Sequence, residues 1–214
     1  MDASMKRILV LSPHTDDAEL GCGGTIVRML REGVEIHWVV FSTAEESLPE
    51  HLPKDTLKRE FQNVMDHLGL GKDSYFIFNF KVRHLQEERQ QILEHMVQIN
   101  REFKPELVVG PSLKDVHQDH VVVANEMVRA YKGTSSIISY ELPWNHLTFD
   151  TQMFVRLSAD QLEQKLDLLK HYKSQLIKGR SYFSREFILG LAKTRGIQLG
   201  AEYAEAFEVI RWIV

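Results

Sequence analysis

Short apolar segments typical of buried strands alternate with longer helical segments along this chain, and this alternation constrains the fold most. The first strand is expected at Arg7–Leu11, where Ser12-Pro13 ends it. A helical pattern follows over Gly21–Glu32, and a second strand rich in β-branched and aromatic residues is expected at Val34–Phe41. This order predicts an α/β fold with a mainly parallel sheet.

The same alternation continues to the C-terminus. Further strands are expected at Tyr75–Phe80, Glu106–Val109, Ile137–Glu141, Met153–Leu157 and Ala206–Val214. Further helices are expected at Asp55–Leu68, Glu87–Phe103, His120–Tyr131, Ala159–Ile177 and Ser184–Lys193. We find no internal repeat, low-complexity tract or linker, so residues 1–214 are expected to form a single domain.

Composition excludes several classes of protein. Hydrophobic residues make up 43% and charged residues 26% of the 214, which is ordinary for a soluble protein. The net charge of −4 and the scattered Lys and Arg residues argue against a nucleic-acid partner. Cys22 is the only cysteine, so no internal disulfide can form. Met1–Arg7 lacks the apolar core of a signal peptide, and no apolar run is long enough to cross a bilayer, so a cytoplasmic location is expected.

Two polar clusters follow predicted strands. Pro13–Glu19 comes after the first strand and Pro111–His120 after the fourth. Ligands of open α/β sheets bind outside the carboxyl ends of the strands, which is where both clusters are expected.

The two clusters contain the residues of a catalytic metal site. Zn²⁺ binds imidazole and carboxylate when thiolates are absent, and a catalytic site needs three protein ligands, here His14, Asp17 and His120. Fe²⁺ or another divalent metal would accept the same donors. Asp16, next to the ligands, could act as the general base. His117, expected one helical turn before His120, could stabilise an oxyanion as a protonated imidazole.

Each motif alone has a simpler interpretation. Paired aspartates before a helix usually cap it, and a pair of histidines on a helix usually lies on the surface. Gly23-Gly24 could suggest a phosphate site, but the dinucleotide fingerprint is absent and Asp16-Asp17 would repel a pyrophosphate. Close packing of helix on sheet explains these glycines. Because both clusters follow strands and both combine His with Asp, the metal site is favoured.

The sequence resembles the PIG-L/LmbE-like family of zinc-dependent de-N-acetylases at four places. Pro13–Glu19, continuing as Leu20–Thr25, is similar to the opening motif Pro-His-Pro-Asp-Asp-x-Glu and the glycine-rich helix start of that family. His117–His120 is similar to its second motif, and Tyr172–Gln175 and Tyr203–Phe207 also look familial. Thr15 stands where the family usually has proline, and we expect a small effect.

The resemblance implies a Rossmann-like three-layer fold with helices on both faces of the sheet. It implies a metal-dependent hydrolase that removes the N-acetyl group from a GlcNAc-like amino sugar or its conjugate and releases acetate. It assigns the same roles to the five His and Asp residues, and family habit is compatible with a homo-oligomer. The alternatives are hydrolysis of another amide or acyl substrate, and a non-catalytic sugar- or metal-binding protein.

Candidate substrate contacts are less marked in the sequence. Lys58 and Arg59 lie in the helix after the second strand, where the family often has a substrate-binding arginine, and Arg83 follows the third strand. A solvated surface charge is the competing interpretation for each. Trp144-Asn145-His146 lies in an expected loop and could provide a sugar-stacking surface.

Overall fold

One mixed sheet forms the centre of the molecule in the computed structural model, which describes residues 5–214. The strands are β1 (Arg7–His14), β2 (Glu35–Ser42), β3 (Tyr75–Ile77), β4 (Leu107–Gly110), β5 (Ser136–Tyr140), β6 (Met153–Leu157) and β7 (Tyr203–Arg211). Their order across the sheet is β3-β2-β1-β4-β5-β7-β6. The first five strands are parallel to one another, and β7 is antiparallel to both β5 and β6. The predicted α/β fold with a mainly parallel sheet is confirmed.

Helices cover both faces of this sheet. They are α1 (Asp17–Arg31), α2 (Thr56–Leu68), α3 (Arg89–Phe103), α4 (Gln118–Tyr131), α5 (Ala159–Leu169), α6 (Lys173–Ile177) and α7 (Arg185–Ile197). Ile8 and Val10 of β1 pack in the core beneath α1, α2, α5 and α7, whereas Leu9 and Leu11 pack in the core beneath α3 and α4. This two-residue alternation gives the expected three layers. Within residues 5–214 no helix is both long and apolar enough to cross a membrane.

The strand order brings the two polar clusters together. The chain moves from β1 outward to β2 and β3, and then crosses back to place β4 on the other side of β1. The carboxyl ends of β1 and β4 therefore lie side by side where the strand order reverses, which is the usual ligand site of a doubly wound sheet.

The boundaries of the first strand and helix differ from the prediction. β1 does not end at Leu11 but continues to His14, because Ser12 and His14 both pair with β2 on either side of Pro13. α1 begins at Asp17 rather than at Gly21. The polar cluster is therefore the tight junction between strand and helix and not a separate loop.

The predicted helix Ala159–Ile177 is two helices. α5 ends at Leu169 and α6 begins at Lys173, with Tyr172 between them at a non-helical ψ of 59°. The Tyr172 side chain is fully buried, and its hydroxyl group contacts the Thr15 carbonyl and the Glu19 carboxyl. The break thus lets Tyr172 reach the start of α1. Other boundaries shift by a few residues, and β3 ends at Ile77 rather than at Phe80. Met1–Ser4 lie outside the described residues, so the structure does not test the prediction made for that part of Met1–Arg7.

Helix α1 has a break that a buried ion pair supports. Its backbone is non-helical at Cys22, and the N–H groups of Gly24 and Thr25 donate to the Glu205 carboxylate at 3.1 and 2.7 Å. Lys165 Nζ donates to Glu205 Oε1 at 2.6 Å and to a backbone carbonyl before the break at 2.7 Å. These contacts replace hydrogen bonds lost at the break and hold the first half of α1, which carries Asp17.

Close packing explains the glycines of α1, and for Gly23-Gly24 this agrees with the interpretation from the sequence. A Cβ atom at Gly21 would lie 2.5 Å from the Tyr140 ring, and one at Gly24 would lie 2.4 Å from Leu157. Because the helix lies this close to the sheet, larger side chains would displace it.

Candidate metal and catalytic site

A cavity of about 190 Å³ opens at the carboxyl ends of β1 and β4. It is lined by both polar clusters, the loop after β2, the start of α2 and two segments of the C-terminal half. The lining residues are His14, Thr15, Asp16, Asp17, Leu20, Ala44, Ser47, Leu57, Val82, His117, His120, Trp144, Asn145, Gln175, Lys178, Arg180 and Tyr182. We call His14, Asp16, Asp17, His117 and His120 the catalytic cluster.

Three side-chain atoms of the catalytic cluster form a nearly equilateral triangle. His14 Nδ1, Asp17 Oδ2 and His120 Nε2 are separated from one another by 3.2 Å along each edge. Ligands about 2.0–2.1 Å from a tetrahedral zinc ion are separated by about 3.3–3.4 Å. The three predicted ligands thus have the donor types and the spacing that a divalent metal ion requires.

The three imidazoles of His14, His117 and His120 form a second candidate group, with ligand atoms within 4.8 Å of one another. Both groups share His14 and His120 and differ in whether Asp17 or His117 is the third member. The group with Asp17 has the shorter separations. In addition, His117 Nδ1 already accepts a hydrogen bond from the backbone N–H of Asp119 at 3.2 Å. We therefore favour Asp17 as the third ligand.

Two buried carboxylates orient the histidines of the triangle. Asp119 Oδ2 accepts from His14 Nε2 at 2.9 Å, and Asp115 Oδ2 accepts from His120 Nδ1 at 2.7 Å. In the neutral imidazole, each contact leaves the lone pair on the other ring nitrogen, which faces the triangle. Asp119 is itself held by the backbone N–H of Arg83 at 2.7 Å. Such outer carboxylates commonly fix the tautomer and basicity of metal-binding histidines.

The carboxylates around the triangle stabilise positive charge on its two histidines. Burial lowers the pKa of His14, but its hydrogen bonds to Asp119 and Asp17 outweigh this effect and raise the pKa to about 9. Burial likewise opposes the charge of His120, but Asp17 and Asp115 raise its pKa to about 10. The pKa of Asp17 is held far below its usual value, because both histidines outweigh the effect of burial.

Asp16 lies at the N-cap position of α1, yet its side chain makes no capping hydrogen bond. This observation removes the simpler interpretation that Asp16 is only a helix cap. Burial, followed by the negative charge of Asp17, raises the pKa of Asp16 to about 6. The carboxylate lines the cavity beside the triangle, where it could accept and return a proton near neutral pH.

His117 precedes α4 rather than lying within it. It has an extended backbone (φ −73°, ψ 122°) and caps the helix by accepting from the Asp119 N–H at Nδ1. In the neutral tautomer the proton is then on Nε2, which can donate into the cavity. Burial and the charges of His120 and His14 lower the pKa of His117 to about 4. The contact at Nδ1 and the lowered pKa thus favour a neutral N–H donor at His117 over the expected protonated imidazole.

The three basic residues predicted to contact substrate do not line the cavity. Lys58 and Arg59 are exposed on α2, and Arg59 pairs with Asp55 at 2.8 Å. Arg83 is exposed at a φ of 69° and contributes its backbone N–H to Asp119, not its guanidinium group to the cavity. Surface charge is the better description of all three side chains.

Basic and aromatic residues that the sequence did not single out line the cavity instead. Lys178 and Arg180 follow α6, and Tyr182 stacks on Trp144 with ring centroids 4.2 Å apart and planes 10° apart. The one feature of the sequence that could have indicated them is their position, a few residues after the Tyr172–Gln175 segment that resembles the family. Trp144 does reach the cavity, as the loop prediction allowed.

Known proteins with similar sequences are described as deacetylases. Residues 9–131 match the family described as PIG-L, GlcNAc-PI de-N-acetylase. The Escherichia coli K12 protein described as uncharacterized deacetylase YaiS is 30% identical over 172 residues, which cover 79% of this chain and 91% of that protein.

Solved structures share the fold. An N,N'-diacetylchitobiose deacetylase from Pyrococcus horikoshii superposes with a TM-score of 0.78 at 22% identity, covering 97% of this chain and 84% of that one. GalB, the 4-carboxy-2-hydroxymuconate hydratase of Pseudomonas putida KT2440, superposes with a TM-score of 0.75 at 20% identity, covering 98% of both chains. At these identities the likeness concerns the fold alone.

Proposed function

This chain belongs to the PIG-L family of de-N-acetylases, and on that premise we propose that it is a metal-dependent hydrolase of small-molecule amino sugars. The reaction proposed is removal of the N-acetyl group from a GlcNAc-like sugar or its conjugate, with release of acetate. The family supports the deacetylase class, and the donor triangle supports the dependence on metal. The observation that carries the proposal is the 3.2 Å triangle of His14, Asp17 and His120 with the uncapped Asp16 beside it.

His14, Asp17 and His120 would hold the metal ion, Zn²⁺ by the type of donor, with Fe²⁺ or another divalent ion as the alternative. When bound, such an ion polarises a carbonyl group and lowers the pKa of water. Asp119 and Asp115 hold the two imidazoles in the required orientation.

Asp16 and His117 supply the proton transfers and the hydrogen bond that the reaction needs. Asp16 takes a proton from the water whose oxygen attacks the acetamide carbonyl carbon. His117 Nε2–H donates a hydrogen bond to the negative charge that develops on the carbonyl oxygen. Asp16 then returns its proton to the amide nitrogen, the C–N bond breaks, and acetate and the free amine leave.

Acetate release tests the reaction. Purified protein should release stoichiometric acetate and free amine from at least one N-acetylglucosamine conjugate, and a strong chelator should abolish the release until metal is restored. Hydrolysis of other amides or esters without acetate would favour the alternative acyl substrate. Sugar binding without any turnover would favour a binding protein.

The ligand assignment has a separate test that does not depend on substrate. Protein purified without chelator should contain close to one divalent metal per chain, and His120→Ala should lose most of it. A matched control is His146→Ala, because His146 is nearly buried close to Asp115 but lies outside the triangle. Full metal occupancy in His120→Ala would contradict the ligand set.

A further inference from the structure

Two cations line the cavity, and neither pairs with a carboxylate in the described part of the chain. Lys178 and Arg180, which we call the cationic pair, follow α6 on either side of Gly179, whose left-handed φ of 63° turns the chain. Within residues 5–214, no carboxylate oxygen lies within 4.0 Å of a side-chain nitrogen of either residue, whereas eight arginines elsewhere in the structure pair with one.

The contacts of the cationic pair are with neutral groups. Lys178 Nζ donates to the Ser47 carbonyl at 3.0 Å and to Gln175 Oε1 at 3.3 Å. Arg180 donates to the Tyr182 hydroxyl at 2.7 Å, with its guanidinium carbon 5.6 Å from the centre of that ring. These contacts orient the two cations but do not neutralise them.

The segment that carries the cationic pair is anchored to the fold. Ser174 donates to the buried Glu60 from both its backbone N–H, at 2.8 Å, and its hydroxyl group, at 2.6 Å. Partial burial, followed by the positive charge of Arg180, lowers the pKa of Lys178, so the charge of the Lys178 ammonium is disfavoured where it lies. A fixed cavity wall that presents two neighbouring cations is suited to an anion.

The simplest alternative is that the pair neutralises Asp16. Asp16 does interact with both cations through space, but it forms no ion pair with either within 4.0 Å. The negative charge of Asp17 already lies against His14 and His120. Among residues 5–214 no carboxylate pairs directly with Lys178 or Arg180, so both cations are available to a ligand.

We propose that the substrate is an anionic conjugate of the amino sugar, whose phosphate or carboxylate group binds Lys178 and Arg180. This inference rests on the proposed deacetylase function and names its substrate class. With the acetamide at the catalytic cluster, the sugar would lie near Trp144 and Tyr182, which line the same cavity. An aromatic surface beside a cationic group is a common arrangement for an anionic sugar.

Three test substrates distinguish a phosphate from a carboxylate as the anionic group of the substrate. They are N-acetylglucosamine 1-phosphate, the N-acetylglucosamine glycoside of glycolic acid, and neutral methyl N-acetylglucosaminide. The anionic substrates, or one of them, should be deacetylated with a kcat/KM about 10- to 100-fold above that of the neutral one, as expected for charge-assisted hydrogen bonds. Preference for one anion identifies phosphate or carboxylate as the group bound.

Variants assign this preference to the cationic pair. Lys178→Gln and Arg180→Gln should reduce kcat/KM for the anionic substrate much more than for the neutral one, mainly through KM. Lys173→Gln is the matched control, because Lys173 is an exposed lysine of the same segment outside the cavity, and it should keep the full preference. Equal kcat/KM for anionic and neutral substrates in the unaltered protein would overturn the inference.

A binding measurement separates this inference from the function on which it rests. Isothermal titration calorimetry should show that glucosamine 1-phosphate binds more tightly than methyl glucosaminide and that Lys178→Gln removes the difference. If no conjugate releases acetate but this difference is found, the proposed reaction fails and the anion site stands. If acetate is released but no anion binds better than its neutral counterpart, the reaction stands and the anion site is refuted.

Discussion

The cavity holds two sets of charged side chains that differ in their partners. In the catalytic cluster, His14 and His120 each contact a buried carboxylate, at 2.9 and 2.7 Å. In the cationic pair, the side chains of Lys178 and Arg180 donate hydrogen bonds, among the described residues, to a carbonyl, an amide and a hydroxyl group. The first set is oriented by opposite charge, and the second is oriented by neutral groups that leave its charge intact.

This difference indicates how each set can work. A donor set for a metal ion must be preorganised, because a misplaced ligand weakens affinity, and charge partners behind each imidazole provide that order. Side chains that recognise a substrate must keep their charge available to a ligand that binds and dissociates in each catalytic cycle. Substitutions in the two sets should therefore change different quantities.

The largest effect is expected at Asp16, whose carboxylate makes no capping hydrogen bond to α1 and no ion pair within 4.0 Å among residues 5–214. Asp16→Asn keeps the size of the side chain but cannot accept a proton, so kcat should fall by about 10²–10⁴-fold. Metal content, measured by elemental analysis of the same preparation, should stay unchanged because Asp16 lies outside the triangle. Near-native turnover would exclude Asp16 from the proton transfer.

A smaller fall is expected for His117. His117→Ala removes one N–H donor to the oxyanion and should lower kcat by about 10²–10³-fold. Since Nδ1 accepts from the Asp119 N–H, we expect the imidazole to act in its neutral form. Loss of an imidazolium proton then does not produce the alkaline limb of the pH–rate profile, so this limb should persist in His117→Ala. His117→Gln, which retains an N–H donor, should recover part of the activity. Parallel losses of metal and kcat would identify His117 as a ligand instead.

The carboxylates behind the triangle should affect metal binding more than chemistry. Asp115→Asn and Asp119→Asn each weaken the orientation of one histidine and should reduce metal affinity by about 10–100-fold. Competition with a chromogenic chelator measures this change. The matched control is Asp150→Asn, an exposed carboxylate that pairs with Lys114. Unchanged affinity in both buried variants would mean that the order of the triangle comes from packing alone.

The smallest effect is expected at Thr15. Its hydroxyl group is buried without a hydrogen-bond partner among residues 5–214, and it follows His14, the last residue of β1. An extended residue tolerates a following proline, so Thr15→Pro should raise the free energy of unfolding by about 0.4–1 kcal/mol. Denaturation with urea would measure it. A loss of stability would show that the Thr15 backbone cannot adopt the φ of proline.

Much of the site could be predicted because its residues are concentrated in two short motifs. His14, Asp16 and Asp17 lie at one strand–helix junction, and His117 and His120 lie at another, so strand order alone brings them together. Asp119 was within the second motif but had no assigned role, because its contact with His14 spans 105 positions of sequence. The sequence does not single out Asp115 for a related reason, since an acidic residue before a helix usually suggests solvation or capping.

The contacts farther along the chain could not be predicted in this way. Lys58 and Arg59 are predicted from the family's arginine in the helix after the second strand, yet both side chains are exposed on α2. Arg83 is predicted from its place after the third strand, yet the turn there exposes its side chain. Lys178 and Arg180 follow a helix that the sequence pattern placed inside a longer one. Nothing in their local sequence distinguishes them from surface cations.

The sequence by itself determined the alternation of strands and helices, the close packing of the glycines in α1, and the residues of both motifs. These properties depend on hydrophobic period, side-chain size and donor chemistry, which are local. The tertiary structure alone decided which nitrogen of each histidine faces the triangle, that His117 caps α4, and which cations reach the cavity. Those properties depend on contacts between distant segments, such as Glu60 with Ser174 and Asp119 with His14, whose geometry exists only once the sheet and its helices have packed.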